Sequence, residues 1–318
     1  MTKDETFLEH MERYKETIKN LTVMCDILAR NVFKDRKACE YVLRIIMDDE
    51  ELTVIDNEVQ MDFKNMHGRS TVLDCVAKNG KGQIFNVEIQ QDNEGAHPKR
   101  ARYHLGMLDG NVLDPGEFFD KLPETYVIFV TQNDTLGYGL PIAHIDRRIK
   151  ENGKAFEDEA HFIYVDSSKD DGGKLGKLMH DFRVKEAKDM QAGALQDRVR
   201  ELKETEKGVE HMCREMEELC DEARMDEKKD VAYSLAERKM SVEDISEIIK
   251  VNIETVRGWL SGTYSCSKIV IGYPHTGQEN RNVLYGGIFI YRKQNSENQS
   301  TGFILQVYCI YPSMCLYC

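Results

Sequence analysis

No stretch of this 318-residue chain runs to about 18 apolar residues, the length that a bilayer-spanning helix requires, so a membrane-spanning helix is excluded. The first residues, MTKDETFLEHMERYKE, are charged and periodic, which a secretory leader is not. A soluble cytoplasmic protein is the expectation. The chain has no phosphate-cradling GxxxxGK[ST] loop, no GxGxxG fingerprint and no HExxH, so nucleotide-driven and zinc-protease chemistry have no residues to stand on. Positive charge is in deficit: 43 Lys plus Arg face 56 Asp plus Glu, a net of −13. Bulk electrostatics of that sign do not coat nucleic acid. A local basic groove, or a metal site whose carboxylates an ion neutralises, is compatible with it.

The length can bury a full core without staples, and the prior is one large domain with appendages or two small ones. Charge is unevenly shared. Residues 263–318 hold Lys268, Arg281, Arg292 and Lys293 against Glu279 and Glu297, so residues 1–262 carry 39 basic against 54 acidic side chains. Four of the nine cysteines (Cys266, Cys309, Cys315, Cys318) fall in this atypical tail. Cys315 and Cys318 have zinc-knuckle spacing but no well-placed second pair, and reduced thiols are the reading in a cytosolic compartment.

Residues 4–20 read as a charged helix with apolar positions too sparse for deep burial, and 22–47 as a helix or helix pair. A strand of mixed polarity follows over 52–63. RSTVLDCVAK (69–78) and GQIFNVEIQ (82–90) then flank a glycine-containing turn, a hairpin signal. With Gly80, Lys81 and Gly82 as the loop, Leu73 opposes Ile89, Cys75 opposes Val87 and Ala77 opposes Phe85, an apolar face as a half-buried sheet requires. The other face sets Asp74 opposite Glu88, with Gln90 two residues on. Carboxylates so placed have Cβ atoms roughly 4.5–5.5 Å apart and repel. A divalent cation with oxygen ligands relieves that repulsion; two solvated acids on an exposed sheet face are the alternative.

Pro98 opens an amphipathic helix with Ala101, Leu105, Leu108 and Val112 inward. Lys99, Arg100 and Arg102 occupy its first turns beside Tyr103. Basic residues at a helix start oppose the macrodipole, so they point to an external anion such as phosphate, or else to a plain solvated turn. TYVIFVTQ (125–132) reads as a buried central strand and HFIYVDS (161–167) as another. Helix, strand, hairpin, helix, strand describes an α/β domain with a mixed sheet.

An Asp on one strand and Glu-x-Gln on the next, among helices in this order, resembles the PD-(D/E)xK nuclease superfamily, and in particular the recombination-promoting nuclease and transposase family. LTVMCDILARNVFKDRKACEYVLRIIMD (21–48), GRSTVLDCVAKNGKGQIFNVEIQQDNEGAHPKRARYH (68–104), LPETYVIFVTQNDTLGYGLPIAHIDRRI (122–149), EAHFIYVDSS (159–168), LGKLMHDF (175–182) and RVRELKETEKGVEHMCREMEE (198–218) carry the likeness in collinear order. The resemblance implies a restriction-endonuclease-like α/β fold over 21–184, with a mixed central sheet flanked by helices, and metal-assisted hydrolysis of DNA. It implies that Asp74 and Glu88 bind Mg²⁺, with Mn²⁺ as a substitute, and that the Ile89 backbone carbonyl is a further ligand. Gln90 stands where the superfamily usually has lysine, so an amide replaces a charge. Lys99, Arg100, Arg102 and Tyr103 are then DNA phosphate contacts, and Glu40 is the candidate upstream acid, a solvated helix face being the simpler alternative. His97 and His104 are read as surface histidines, and His144 and Asp146 as structural.

Residues 185–239 form a charged helical region with apolar recurrences from Leu195 to Leu219, suited to a bundle and to homodimer formation. SVEDISEIIKVNIETVRGWLSG (241–262) has a capping box, Ser241 with Asp244, and resembles a helix-turn-helix pair. Its net charge is too acidic for a typical DNA-reading helix. The β-rich remainder, 263–318, has no assigned family, and a role dispensable for the fold is expected of it. Three functions stay open: an active Mg²⁺-dependent endonuclease acting in DNA recombination, an inactive nuclease fold that binds DNA or protein, and an interaction protein working through its helical half.

Overall fold

The computed structural model describes residues 3–63 and 71–261, together with short tail strands at 283–285, 288–290 and 308–309. Two compact units divide the chain, residues 1–218 and 219–318. In the first, helices α1 (Lys3–Asn20), α2 (Asp26–Phe33) and α3 (Arg36–Ile46) precede strands β1 (Val54–Phe63), β2 (Thr71–Asn79) and β3 (Ile84–Gln90). Helix α4 (Pro98–Val112), strands β4 (Thr125–Thr131), β5 (Ile142–Ile145) and β6 (Ala160–Asp166), and helices α5 (Lys174–Arg183) and α6 (Ala194–Glu204) follow. Helix α7 (Glu206–Glu237) begins in this unit and continues into the second.

The six strands form one mixed sheet in the order β1-β2-β3-β4-β6-β5. The pairs β1/β2, β2/β3 and β5/β6 are antiparallel, while β3/β4 and β4/β6 are parallel. This is the mixed α/β sheet that the element order predicts and the restriction-endonuclease-like architecture that the resemblance implies. Parallel central strands must be covered on both faces, and β4, a continuous apolar run, is buried over all but one of its seven residues. One face, with Cys75, Phe85, Val87, Ile128, Val130 and Ile163, packs on the helices of the N-terminal segment and on α5 and α6. The opposite face, with Val127, Phe129 and Tyr164, packs on Ala101, Leu105 and Leu108 of α4.

The hairpin register is the predicted one: Cys75 pairs with Val87, Val76 with Asn86 and Ala77 with Phe85. Gly82 sits at φ +87°, where a side chain would be strained, and the Asn79 side chain accepts the N–H groups of Lys81 and Gln83 at 3.0 and 2.9 Å. Leu73 departs from the expectation, because it packs in the α4 layer rather than beside Cys75 and Ala77. Beside it β1 is irregular: Val59 pairs with Cys75 and Met61 with Leu73, while Gln60 between them has φ +55°.

Three further expectations are corrected. Helix α1 is not shallow, since Tyr14 and Ile18 are buried in the main core. Val112 is exposed rather than inward. The boundary expected at 184/185 does not appear in the packing: Leu195, Val199, Leu202 and Met212 complete the core of the first unit, which ends at Glu218. The second unit includes α8 (Val242–Ile249) and α9 (Ile253–Ser261) around Ala232, Ile245, Ile249 and Val256. Its capping box forms, with Ser241 Oγ accepting the Asp244 N–H at 3.1 Å. Lys250, left-handed at φ 54°, ends α8. The zinc-knuckle cysteines lie outside the described residues. Among the described residues no helix is long and apolar enough to cross a membrane.

Candidate active site

The β2/β3 ladder opens just past the Cys75–Val87 pair. There the Asp74 N–H donates to Glu88 Oε1 at 3.2 Å, and the Ile89 N–H donates to Asp74 Oδ2 at 3.0 Å. Each carboxylate thus accepts a backbone N–H of the opposite strand, as a ladder carbonyl otherwise does. The sequence placed these two acids face to face, and the structure sets them in the gap between the strands. Burial pushes the Asp74 carboxyl well above the usual range, and the adjacent Glu88 pushes it further. The Ile89 N–H and the Arg100 guanidinium pull it only partly back. Two acids in a poorly solvated gap, with one held reluctant to ionise, are under-neutralised.

Other charged groups converge there. Asp26, the first residue of α2, is exposed, yet the protein around it raises its carboxyl first of all; Arg30 lowers it and Glu88 raises it again. The turn before α2 is tied to the end of β3 by Gln91 Nε2, which donates to the Met24 carbonyl at 3.0 Å. Arg100 comes inward from α4. Its Nη2 is 3.5 Å from Glu88 Oε2, its Nη1 reaches the Gly95 carbonyl at 3.0 Å and Gln90 Oε1 at 3.4 Å, and its Nε donates to His104 Nε2 at 3.2 Å. His104 also meets Thr71 Oγ1 at 3.2 Å and stacks against Phe129. Its Nδ1 is 3.4 Å from Glu88 Oε1, close enough for charge to matter but without hydrogen-bond alignment.

The predicted residues therefore separate. Asp74, Glu88, Gln90 and Arg100 come together around the end of β3. Lys99, Arg102 and Tyr103 are on the exposed face of α4, lining a shallow groove of about 310 Å³ with Gly106 and Met107. Glu40 is not at the site: its Oε2 accepts the Val54 N–H at 2.9 Å and its Oε1 pairs with Arg44 at 2.9 Å. His97 is exposed and its ring accepts the Lys99 N–H, capping α4, whereas His104 is buried, contrary to the surface reading. Asp146 binds His161 at 2.7 Å, and His161 in turn reaches Glu124 at 3.2 Å, a brace at the far ends of the strands. Asp26 escaped the sequence reading. Its signal was an acid opening the first apolar-periodic helix, four residues before Arg30.

The donors fit a hard divalent cation. Asp74, Glu88, Asp26 and the β3 backbone offer only oxygen, and Mg²⁺ is commonly held by one or two carboxylates while water and phosphate complete its shell. Among the described residues no group of three or more His, Cys, Asp or Glu is arranged to hold a metal by itself. Glu88 has no exposed surface, being covered on the α4 side by Arg100 and His104.

A family model described as PD-(D/E)XK nuclease family transposase matches residues 39–250. The matched segment contains Asp74, Glu88, Gln90 and Arg100 and begins after Asp26. No curated protein and no solved structure gives a significant match.

Proposed function

Because the chain belongs to the PD-(D/E)XK nuclease family of transposases, we propose that it is a metal-dependent DNA endonuclease whose site is built on Asp74 and Glu88. Those two carboxylates would hold Mg²⁺, or Mn²⁺ in its place, with the Ile89 carbonyl beside them. At such a site the ion's chemistry is polarisation of a phosphoryl oxygen and a lowered pKa for an attacking water. Hydrolysis would add a water across the P–O3′ bond, leaving a 5′-phosphate and a 3′-hydroxyl. Gln90 donates its amide N–H towards the phosphate or the water, orienting without adding charge. Lys99, Arg102 and Tyr103 hold flanking phosphates from the outer face of α4, a local basic strip in an acidic protein. Asp26, at the open side of the site, is the upstream acid in place of Glu40.

The observation that carries this reading is the opened ladder, where Glu88 accepts the Asp74 N–H, Asp74 accepts the Ile89 N–H, and burial leaves Asp74 under-neutralised. Plasmid nicking tests it. The protein is expected to nick supercoiled DNA with Mg²⁺ and to lose that activity as Asp74→Ala or Glu88→Ala. Equal nicking by both variants would end the proposal. The full burial of Glu88 and the glutamine at position 90 favour one second reading, a nuclease fold that binds DNA without cutting it. That reading requires DNA affinity indifferent to Mg²⁺ and to both substitutions.

A further inference from the structure

We propose that Arg100 is the cation this site presents to the scissile phosphate, in the role that position 90 leaves empty by carrying an amide. The inference rests on the nuclease reading and adds a catalytic residue to it.

The guanidinium lies where a charge on β3 would be directed. Its Nη1 is 3.4 Å from Gln90 Oε1 and its Nη2 is 3.5 Å from Glu88 Oε2. Both distances exceed the roughly 2.7–2.9 Å of a committed charge-assisted bond. Its firmer bonds are elsewhere, to the Gly95 carbonyl at 3.0 Å and to His104 Nε2 at 3.2 Å. An arginine placed only to neutralise Glu88 would grip it with two short parallel bonds. This one is pinned at its stem and faces the carboxylate with slack, and 38% of its side chain is exposed, so a phosphate can reach it.

Two neighbours build this placement. Because Arg100 Nε donates to His104 Nε2, that nitrogen is an acceptor and the ring proton belongs on Nδ1, the atom facing Glu88 Oε1. His104 therefore fixes the guanidinium on one side and approaches Glu88 with a proton on the other. Gly95 supplies the second constraint. A Cβ there would run into the Gln90 side-chain amide while only touching Arg100 Nη1, so glycine leaves the amide its place beside the guanidinium and a larger residue would displace it. Lys99 and Arg102, on the exposed face, have no such setting.

A cation that serves the phosphate but rests near Glu88 also repels a metal ion, so its removal should move two measurements in opposite directions. In Arg100→Gln, turnover is expected to fall about 10²–10³-fold, the loss typical of one preorganised charge-stabilising donor. Mn²⁺ binding without DNA, followed by calorimetry, is expected to tighten by about fivefold, as loss of a nearby like charge predicts. Adding Gln90→Lys to Arg100→Gln should restore turnover at least about tenfold by returning the charge from β3. Unchanged turnover in Arg100→Gln, weakened Mn²⁺ binding, or no rescue by Gln90→Lys would each overturn the inference. Should Arg100→Gln fail to fold, His104→Gln provides the second measure. It keeps the charge but releases the pin, with a turnover loss of about tenfold or more expected, and full activity in it would refute the assignment. Failure of the nuclease reading looks different: wild-type protein would not nick, and Mn²⁺ binding would not depend on Asp74.

Discussion

Replacing Asp74 by Asn should make the metal-free protein more stable, not less, at neutral pH. The asparagine oxygen can still accept the Ile89 N–H that Asp74 Oδ2 accepts at 3.0 Å, and the Asp74 N–H bond to Glu88 is a backbone contact that survives. What disappears is a carboxyl that burial and Glu88 push well above its ordinary range. The sign follows from linkage. A carboxyl whose folded pKa is raised binds protons more tightly in the folded state, so it favours folding at low pH. That contribution is lost as pH rises from the unfolded value through the folded one. At neutral pH the wild type carries this deficit and the variant does not. Burying an incompletely compensated polar or charged group costs about 1–3 kcal/mol, and a unit of this size shifts its melting temperature by roughly 2–4 °C per kcal/mol. Calorimetric scans in EDTA at pH 7.5 should then place Asp74→Asn about 2–12 °C above wild type, with the gap closing towards pH 4.5. Mg²⁺ should reverse the order, since a ligand at 100 times its Kd adds about 2.7 kcal/mol to the wild type alone. A variant that melts below wild type in EDTA at pH 7.5, or that gains as much from Mg²⁺, would refute the account of the paired acids.

Gly95→Ala should cut turnover at least about tenfold, with a melting temperature close to wild type, because the added methyl displaces the Gln90 amide at the rim of the site; unaltered nicking would show that Gln90 and Arg100 need no shared setting. Gln60→Gly should stabilise the protein by up to about 1 kcal/mol in urea titrations, since glycine adopts φ +55° without strain; a loss of stability would mean that the Gln60 side chain makes up for its backbone. Deleting 186–262 should yield insoluble protein, because Leu195, Val199, Leu202 and Met212 leave the core with it, whereas ending the chain at Glu218 should leave a unit that melts cooperatively. Ser241→Ala should cost the second unit about 1 kcal/mol through loss of the helix cap, read as earlier hydrogen exchange in α8.

The parts of the fold legible in the sequence were those fixed by short-range periodicity. The hairpin register followed from a three-residue glycine loop and an apolar face repeating every second residue, and Cys75, Ala77, Phe85 and Val87 occupy that face. Leu73 packs instead in the α4 layer, and nothing in the periodicity of β2, whose burial alternates through Leu73, Cys75 and Ala77, marks that difference. Glu40 is a second residue that periodicity alone could not place. Residues 22–47 do not form one continuous helix: α2 ends at Phe33 and Asp35 caps α3 anew by accepting the Ala38 N–H. Glu40 therefore turns to Arg44 and the start of β1, and Asp26 is the acid left at the mouth of the site.

Arg100 and His104 show why a charge run is hard to read along one dimension. Lys99, Arg100 and Arg102 look alike in sequence, but Arg100 lies four residues before His104 and one before the inward Ala101, so these two share the face turned towards β3. An imidazole on that face accepts the arginine Nε and aims the guanidinium at Glu88 and Gln90. Lys99 and Arg102, on the opposite side of the same turns, remain in solvent. The basic cluster is thus divided by the helical period into one cation held within the site and two left outside. That division lets an acidic protein direct one positive charge at its paired acids without presenting a broadly basic surface.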